Sequence, residues 1–65
     1  MTKEKLLQEI ETRFPSRRAF VSSFNEAAGF EALHETTLSR QIKGTLGITN
    51  FAGAAYTLFF SSYGS

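Results

Sequence analysis

The chain has no cysteine and no aspartate, one histidine and one proline. Without cysteine there is no disulfide and no thiolate chemistry, which fits a reducing compartment. His34 alone leaves a conventional zinc site short of ligands, so no metal is expected. Serines are plentiful, but a nucleophilic serine needs a base and an orienting partner held in a cleft. A helical chain of 65 residues has little room for one. His34 and Glu35 are adjacent, yet Gly47, Gly53 and Gly64 have no motif spacing that would cradle a phosphate. No catalytic residue and no cofactor are therefore expected, and His34 reads as a partly exposed connector residue. The longest nearly apolar run, residues 51–60, is about half the length of a membrane span. No basic-then-apolar leader opens the chain. The expectation is a cytoplasmic protein with no membrane partner.

Acidic charge is missing from the second half. All six acids (Glu4, Glu9, Glu11, Glu26, Glu31 and Glu35) precede Thr36, after which the only charges are Arg40 and Lys43. The formal net charge of +1 therefore hides a weakly positive C-terminal part. Arg17 and Arg18 extend that lobe if the fold brings them near. Affinity from phosphate neutralisation grows with the number of cations. Some four useful cations per chain point to a dimer if the target is DNA.

The length specifies one small domain, residues 1–65, which buries only about 60% of the surface exposed on unfolding. Seven phenylalanines suit a tiny core, which fills faster with large side chains. Nothing alternates with the period of a strand over a useful length. The spacing predicts an all-α bundle of four to five short helices. Thr2 caps a first helix to about Arg13, with Leu6, Leu7, Ile10 and Phe14 at helical spacing. Phe14-Pro15-Ser16 breaks it, and Ser16 caps a second helix from Arg17 to about Ala28, ended by Gly29. That helix carries Phe20, Val21, Phe24, Ala27 and Ala28 on one side. A connector holding Phe30 and Leu33, with room for a single short turn, leads to a third helix capped by Thr36 or Thr37. Thr49 or Asn50 caps a last helix to about Phe60, and residues 61–65 fray. The expected core is Leu6, Ile10, Phe20, Phe24, Leu38, Ile42, Ile48 and Phe51.

The third helix is the most informative stretch. In Thr36-Thr37-Leu38-Ser39-Arg40-Gln41-Ile42-Lys43-Gly44, Leu38 and Ile42 are four apart and dock on a core. Ser39, Arg40, Gln41 and Lys43 are left for the remaining surface. All are donors suited to phosphate oxygens, and Arg40 and Gln41 also suit base edges. Gly44 supplies a left-handed stop. The same residues also make an ordinary solvated helix face.

The element order resembles the helix-turn-helix domains of the lambda-repressor and Cro family, small phage and bacterial transcriptional regulators. Ser16-Arg17-Arg18-Ala19-Phe20-Val21 resembles the start of their second helix. Residues 37–44 resemble their recognition helix and its terminal glycine, and Asn50-Phe51-Ala52-Gly53-Ala54-Ala55 the helix that follows. One departure is the link between second and third helices, residues 25–35, where the family has a tight turn. The resemblance implies a helix-turn-helix over residues 16–44 that binds double-stranded DNA. Base contacts are then expected from Arg40, Gln41 and Thr37, and phosphate contacts from Arg17, Arg18, Thr36, Ser39 and Lys43. A salt bridge from Arg17 or Arg18 to Glu9 or Glu11 is the structural alternative.

The last helix carries more apolar surface than one small core uses. With Phe51, Ala55, Leu58 and Phe59 facing inward, Tyr56, Phe60 and Tyr63 are left for a homodimer interface, or else wrap back over the first helix. Two functions are thus in play: a repressor-like regulator acting by operator occupancy, and a helical protein–protein interaction or inhibitor module using the aromatic C-terminal face without DNA. A positive strip joining Arg17, Arg18, Arg40 and Lys43 favours the first. Interruption by Glu26, Glu31 and Glu35 favours the second.

Overall fold

The computed structural model describes residues 1–63, and among them the chain is all-helical, with no strand. Four helices follow in order: α1 (Lys3–Arg13), α2 (Arg17–Ala28), α3 (Glu35–Lys43) and α4 (Asn50–Ser62). None is long and apolar enough to cross a membrane. The connector 29–34 makes no fifth helix; it holds only a narrow turn, in which the Ala32 N–H donates to the Phe30 carbonyl at 2.8 Å.

Three of the four helix starts carry the cap their sequence specifies. Thr2, Ser16 and Thr49 each accept a backbone N–H from three residues on, at 3.2, 3.1 and 3.1 Å. α3 differs from the expectation. It begins at Glu35, ahead of both expected caps, after an extended His34 that makes no side-chain cap bond, and both threonines lie inside the helix. Glu35 then occupies the first turn, where the helix dipole favours an acid.

Glycines close the two central helices. Gly29 and Gly44 have φ of 82° and 85°, a region open to glycine at little cost. At α3 the Gly44 N–H donates to the Gln41 carbonyl and the Thr45 N–H to the Arg40 carbonyl, a Schellman ending. The connector after α2 is pinned by Asn25. Its side-chain amide donates to the Leu33 carbonyl and accepts the Leu33 N–H, both at 2.8 Å. Both polar groups of a nearly buried peptide are thereby satisfied, and Leu33 is held in the core.

α1 packs on α2 and α3, and α2 on α3. Leu6, Ile10, Phe20 and Leu38 are essentially inaccessible, and Phe24, Ile42 and Ile48 pack around them partly buried. Phe20 is the hub of the aromatic core, its ring centroid 5.5–5.9 Å from those of Phe14, Phe24, Tyr56, Phe59 and Phe60. Such ring pairs add stabilisation beyond the area they bury.

The last helix is rotated relative to the sequence expectation. Gly53, Tyr56 and Phe60 face inward, Tyr56 and Phe60 being buried, while Phe51 is 85% and Leu58 70% exposed. Phe51 is therefore not core, and Tyr56 and Phe60 are not available as an interface. The reason is that apolar side chains lie all round α4, so their spacing leaves its inward face undetermined. Packing determines it instead. Gly53 leaves room for Met1 and Ile48 to approach its backbone, and Tyr56 turns inward because its hydroxyl finds a partner there.

Residues 61–63 do not fray either. Ser61 and Ser62 continue α4. Tyr63, the third expected interface residue, is 42% exposed. It stacks on Phe14 and Phe59 with centroids 4.8 and 5.5 Å apart. Arg13 ties this end to α1: one guanidinium nitrogen donates to the Tyr63 carbonyl at 3.0 Å, another to Glu9 at 2.7 Å. Glu9 also pairs with Lys5, and the two cations, Arg13 foremost, hold its carboxyl below the usual range. Gly64 and Ser65, expected to belong to the frayed tail, lie outside the described residues.

Candidate nucleic-acid interface

α3 presents one face to the core and one to solvent, and their division can be read residue by residue. Leu38 is fully buried, Ile42 half-buried, and Gln41, three residues after Leu38, is 6% exposed. Residues three apart share a helix face, so Gln41 belongs to the docked side. Its amide oxygen accepts the Tyr56 hydroxyl at 2.6 Å. Burial pushes the Tyr56 hydroxyl up to about 12, with the Gln41 bond pulling the other way. This buried pair links α3 to α4. Gln41 is thus unavailable to a base edge, which corrects the sequence expectation.

Thr37 is half-buried and lines the same hollow as Gln41, turned partly away from the outer face. Thr36, Arg40 and Lys43 are exposed and Ser39 is half-buried. A further cation joins them from outside the helix. A methyl group built on Gly44 would meet Lys3 Nζ at 2.8 Å, so the Lys3 ammonium lies against the C-terminal end of α3. There it complements the helix dipole and stands on the same end of α3 as Lys43. Sequence spacing gives no hint of Lys3, because the approach of α1 to α3 is purely tertiary.

Arg17 and Arg18 are exposed on the first turn of α2, with no acid in that turn to offset the dipole. The acid expected to pair with them, Glu9, is taken by Lys5 and Arg13. Glu11 shares a shallow hollow with Arg17 without reaching ion-pair distance. Among the described residues the only ion pairs are those two of Glu9, so Arg17, Arg18, Arg40 and Lys43 keep their charges unpaired. Exposed cations without internal partners are what a phosphate-binding surface requires. No cluster of His, Cys or carboxylate groups suited to a metal occurs among the described residues.

The molecule has one other marked surface. A hollow of about 330 Å3 lies between α2, the connector, α3 and α4, with Leu33, Gln41 and Tyr56 in its wall and Phe30 and Phe51 at its edge. Beside it a second hollow, of about 430 Å3, runs between α2 and α4 past Ala27, Leu58 and Phe59. Both are lined almost wholly by apolar side chains. No family model, curated protein or solved structure matches this chain.

Proposed function

We propose that this chain is a small regulator that binds double-stranded DNA in a sequence-specific manner and acts by occupying an operator. α2 and α3 form the helix-turn-helix, its link lengthened and fixed by the Asn25 clamp on Leu33. The observation that carries the reading is the outer face of α3. Arg40, Lys43 and Thr36 stand exposed there, and the Lys3 ammonium extends the positive end beside Gly44.

Arg40 is the base-reading residue, since a guanidinium pairs bidentately with guanine. Thr36, Ser39, Lys43 and Lys3 contact phosphates, with Arg17 and Arg18 supplying further phosphate contacts from α2. These contacts set register and carry the salt dependence. No chemistry on the DNA is involved. The bound protein excludes polymerase, and the site of action is the cytoplasm.

The test is selection of a preferred duplex from a random pool, followed by titration of that duplex and a scrambled one at physiological salt. Specific binders discriminate by about 10³ or more. A preference below about tenfold defeats the proposal. The second reading, a helical interaction module with no DNA role, is favoured by a different observation: Phe30, Phe51 and Leu58 are 68, 85 and 70% exposed. On that reading neither duplex binds measurably.

A further inference from the structure

We infer that the hollow between α2, the connector, α3 and α4 binds an uncharged, mostly apolar small molecule that carries a carbonyl oxygen. The polar part of its wall selects the ligand. Gln41 is buried, and its amide oxygen accepts the Tyr56 hydroxyl at 2.6 Å. The amide nitrogen has two N–H donors and meets no acceptor among the described residues. No fully enclosed polar side-chain atom lacks a partner among those residues. This nitrogen therefore reaches solvent, and it does so through the hollow that Gln41 lines. Thr37 lines the same wall and adds a hydroxyl. Because the bond to Tyr56 holds the amide in place, its free donor is oriented before a ligand arrives.

The rest of the lining sets size and charge. The cavity of about 330 Å3 compares with about 150 Å3 for one that takes benzene. It stands at the small end of the range for ligand sites. A fused two-ring body with a short substituent, about 13 nonhydrogen atoms, suits that space. Phe24, Phe30, Phe51 and Tyr56 offer aromatic walls to its faces. None of the lining residues carries a charged side chain, so an ionised ligand would give up hydration without a counter-charge. Glu31, exposed between Phe30 and Ala32 of the lining, disfavours an anion further. An ammonium brings no acceptor to the Gln41 donor.

A small molecule suits the site better than a protein does. With about 200 Å2 per large side chain, Phe30, Phe51 and Leu58 expose on the order of 400 Å2 between them. A protein partner needs about 800 Å2 on each side. A ligand enclosed by the hollow needs no such area. An apolar side chain pushed in by a protein would also cover the Gln41 donor without pairing it. The site is on the inner side of α3, whereas Arg40 and Lys43 are exposed, and the inference does not depend on the DNA reading.

The test is titration of the full chain with β-naphthyl methyl ketone up to about 1 mM, read by the backbone and side-chain amide signals in NMR. A ligand of this size should bind with a dissociation constant on the order of 0.1–1 mM. The Gln41 side-chain N–H signals should move downfield as they meet the carbonyl, with backbone shifts clustered at Leu33, Thr37 and Tyr56. β-Naphthoate, of equal size but anionic, should bind at least about tenfold more weakly. Ala28→Leu narrows the hollow from an exposed position and should weaken the ketone by on the order of tenfold. Leu58→Ala, outside this hollow, should leave its binding unchanged. The double variant Gln41→Met, Tyr56→Phe removes the donor and its partner together and should weaken the ketone about fivefold. Helical circular dichroism checks that each variant is folded. Absence of a Gln41 side-chain shift overturns the inference, as does naphthoate binding as tightly as the ketone. A response lost in Leu58→Ala but kept in Ala28→Leu overturns it too.

Discussion

Replacing Gln41 should cost folding stability, although a glutamine on a short, cation-bearing helix is ordinarily a surface residue. Gln41 is 6% exposed and its amide oxygen accepts the buried Tyr56 hydroxyl at 2.6 Å. Gln41→Met keeps the volume but leaves that hydroxyl without an acceptor, at a cost of about 1–3 kcal/mol. Tyr56→Phe removes the other partner and leaves the amide oxygen unpaired, with a cost in the same range. Replacing both by apolar groups of like shape strands neither, so the double variant should lie well above the sum of the singles. The expected coupling is about 1–2 kcal/mol. A chain of this size has roughly 3–10 kcal/mol of total stability, so each single variant should shift the urea midpoint visibly. The assay is urea denaturation followed by circular dichroism on the four members of the cycle, checked for unchanged m values. A Gln41→Met variant within about 0.5 kcal/mol of the parent, as exposed sites usually give, refutes the inward placement of Gln41.

The same tyrosine predicts an alkaline transition. Its folded pKa of about 12 lies above the ordinary value of 10.0. Above that ordinary value the unfolded chain loses the proton while the folded one keeps it, so stability is full below pH 10 and falls as pH rises toward 12. Subtracting the pH profile of Tyr56→Phe from that of the parent isolates this fall, and identical profiles count against it. Asn25→Ala should lose both bonds to Leu33 and leave that peptide unsatisfied, costing about 1–3 kcal/mol. Faster amide exchange in the connector 29–34 should accompany the loss, and unchanged exchange there would show that Asn25 does not pin it.

The first two helices are legible in the sequence because their boundaries are local. Thr2, Ser16, Pro15 and Gly29 act within a turn of where they stand, and the Leu6–Ile10 and Phe20–Val21–Phe24 spacings fix which side faces in. The phase of α4 is not local. Its apolar residues cover every side, and what selects Tyr56 and Phe60 over Phe51 and Leu58 is the room at Gly53 and the hydroxyl acceptor on α3. A signal for the second was present in the chain. A buried tyrosine needs a polar partner, and Gln41 lies three residues after Leu38, on its inward side. Residue type alone points the other way, since glutamine is mostly exposed. Arg40 and Lys43 are exposed, as their position opposite the Leu38–Ile42 seam implies. Lys3 had no sequence signal, since only the packing of α1 on α3 brings it to Gly44.

The proposed reading of DNA by the outer face of α3 is tested most directly at Arg40. On a selected duplex, Arg40→Ala should cost about 1–3 kcal/mol of specific affinity and relax preference at one base pair. Folding should be unchanged, because the side chain is exposed and unpaired. Lys43→Ala, measured beside it, should weaken all duplexes alike and reduce the salt slope by about one unit. An Arg40→Ala protein that binds the selected duplex as tightly as the parent, with the same base preference, contradicts the account.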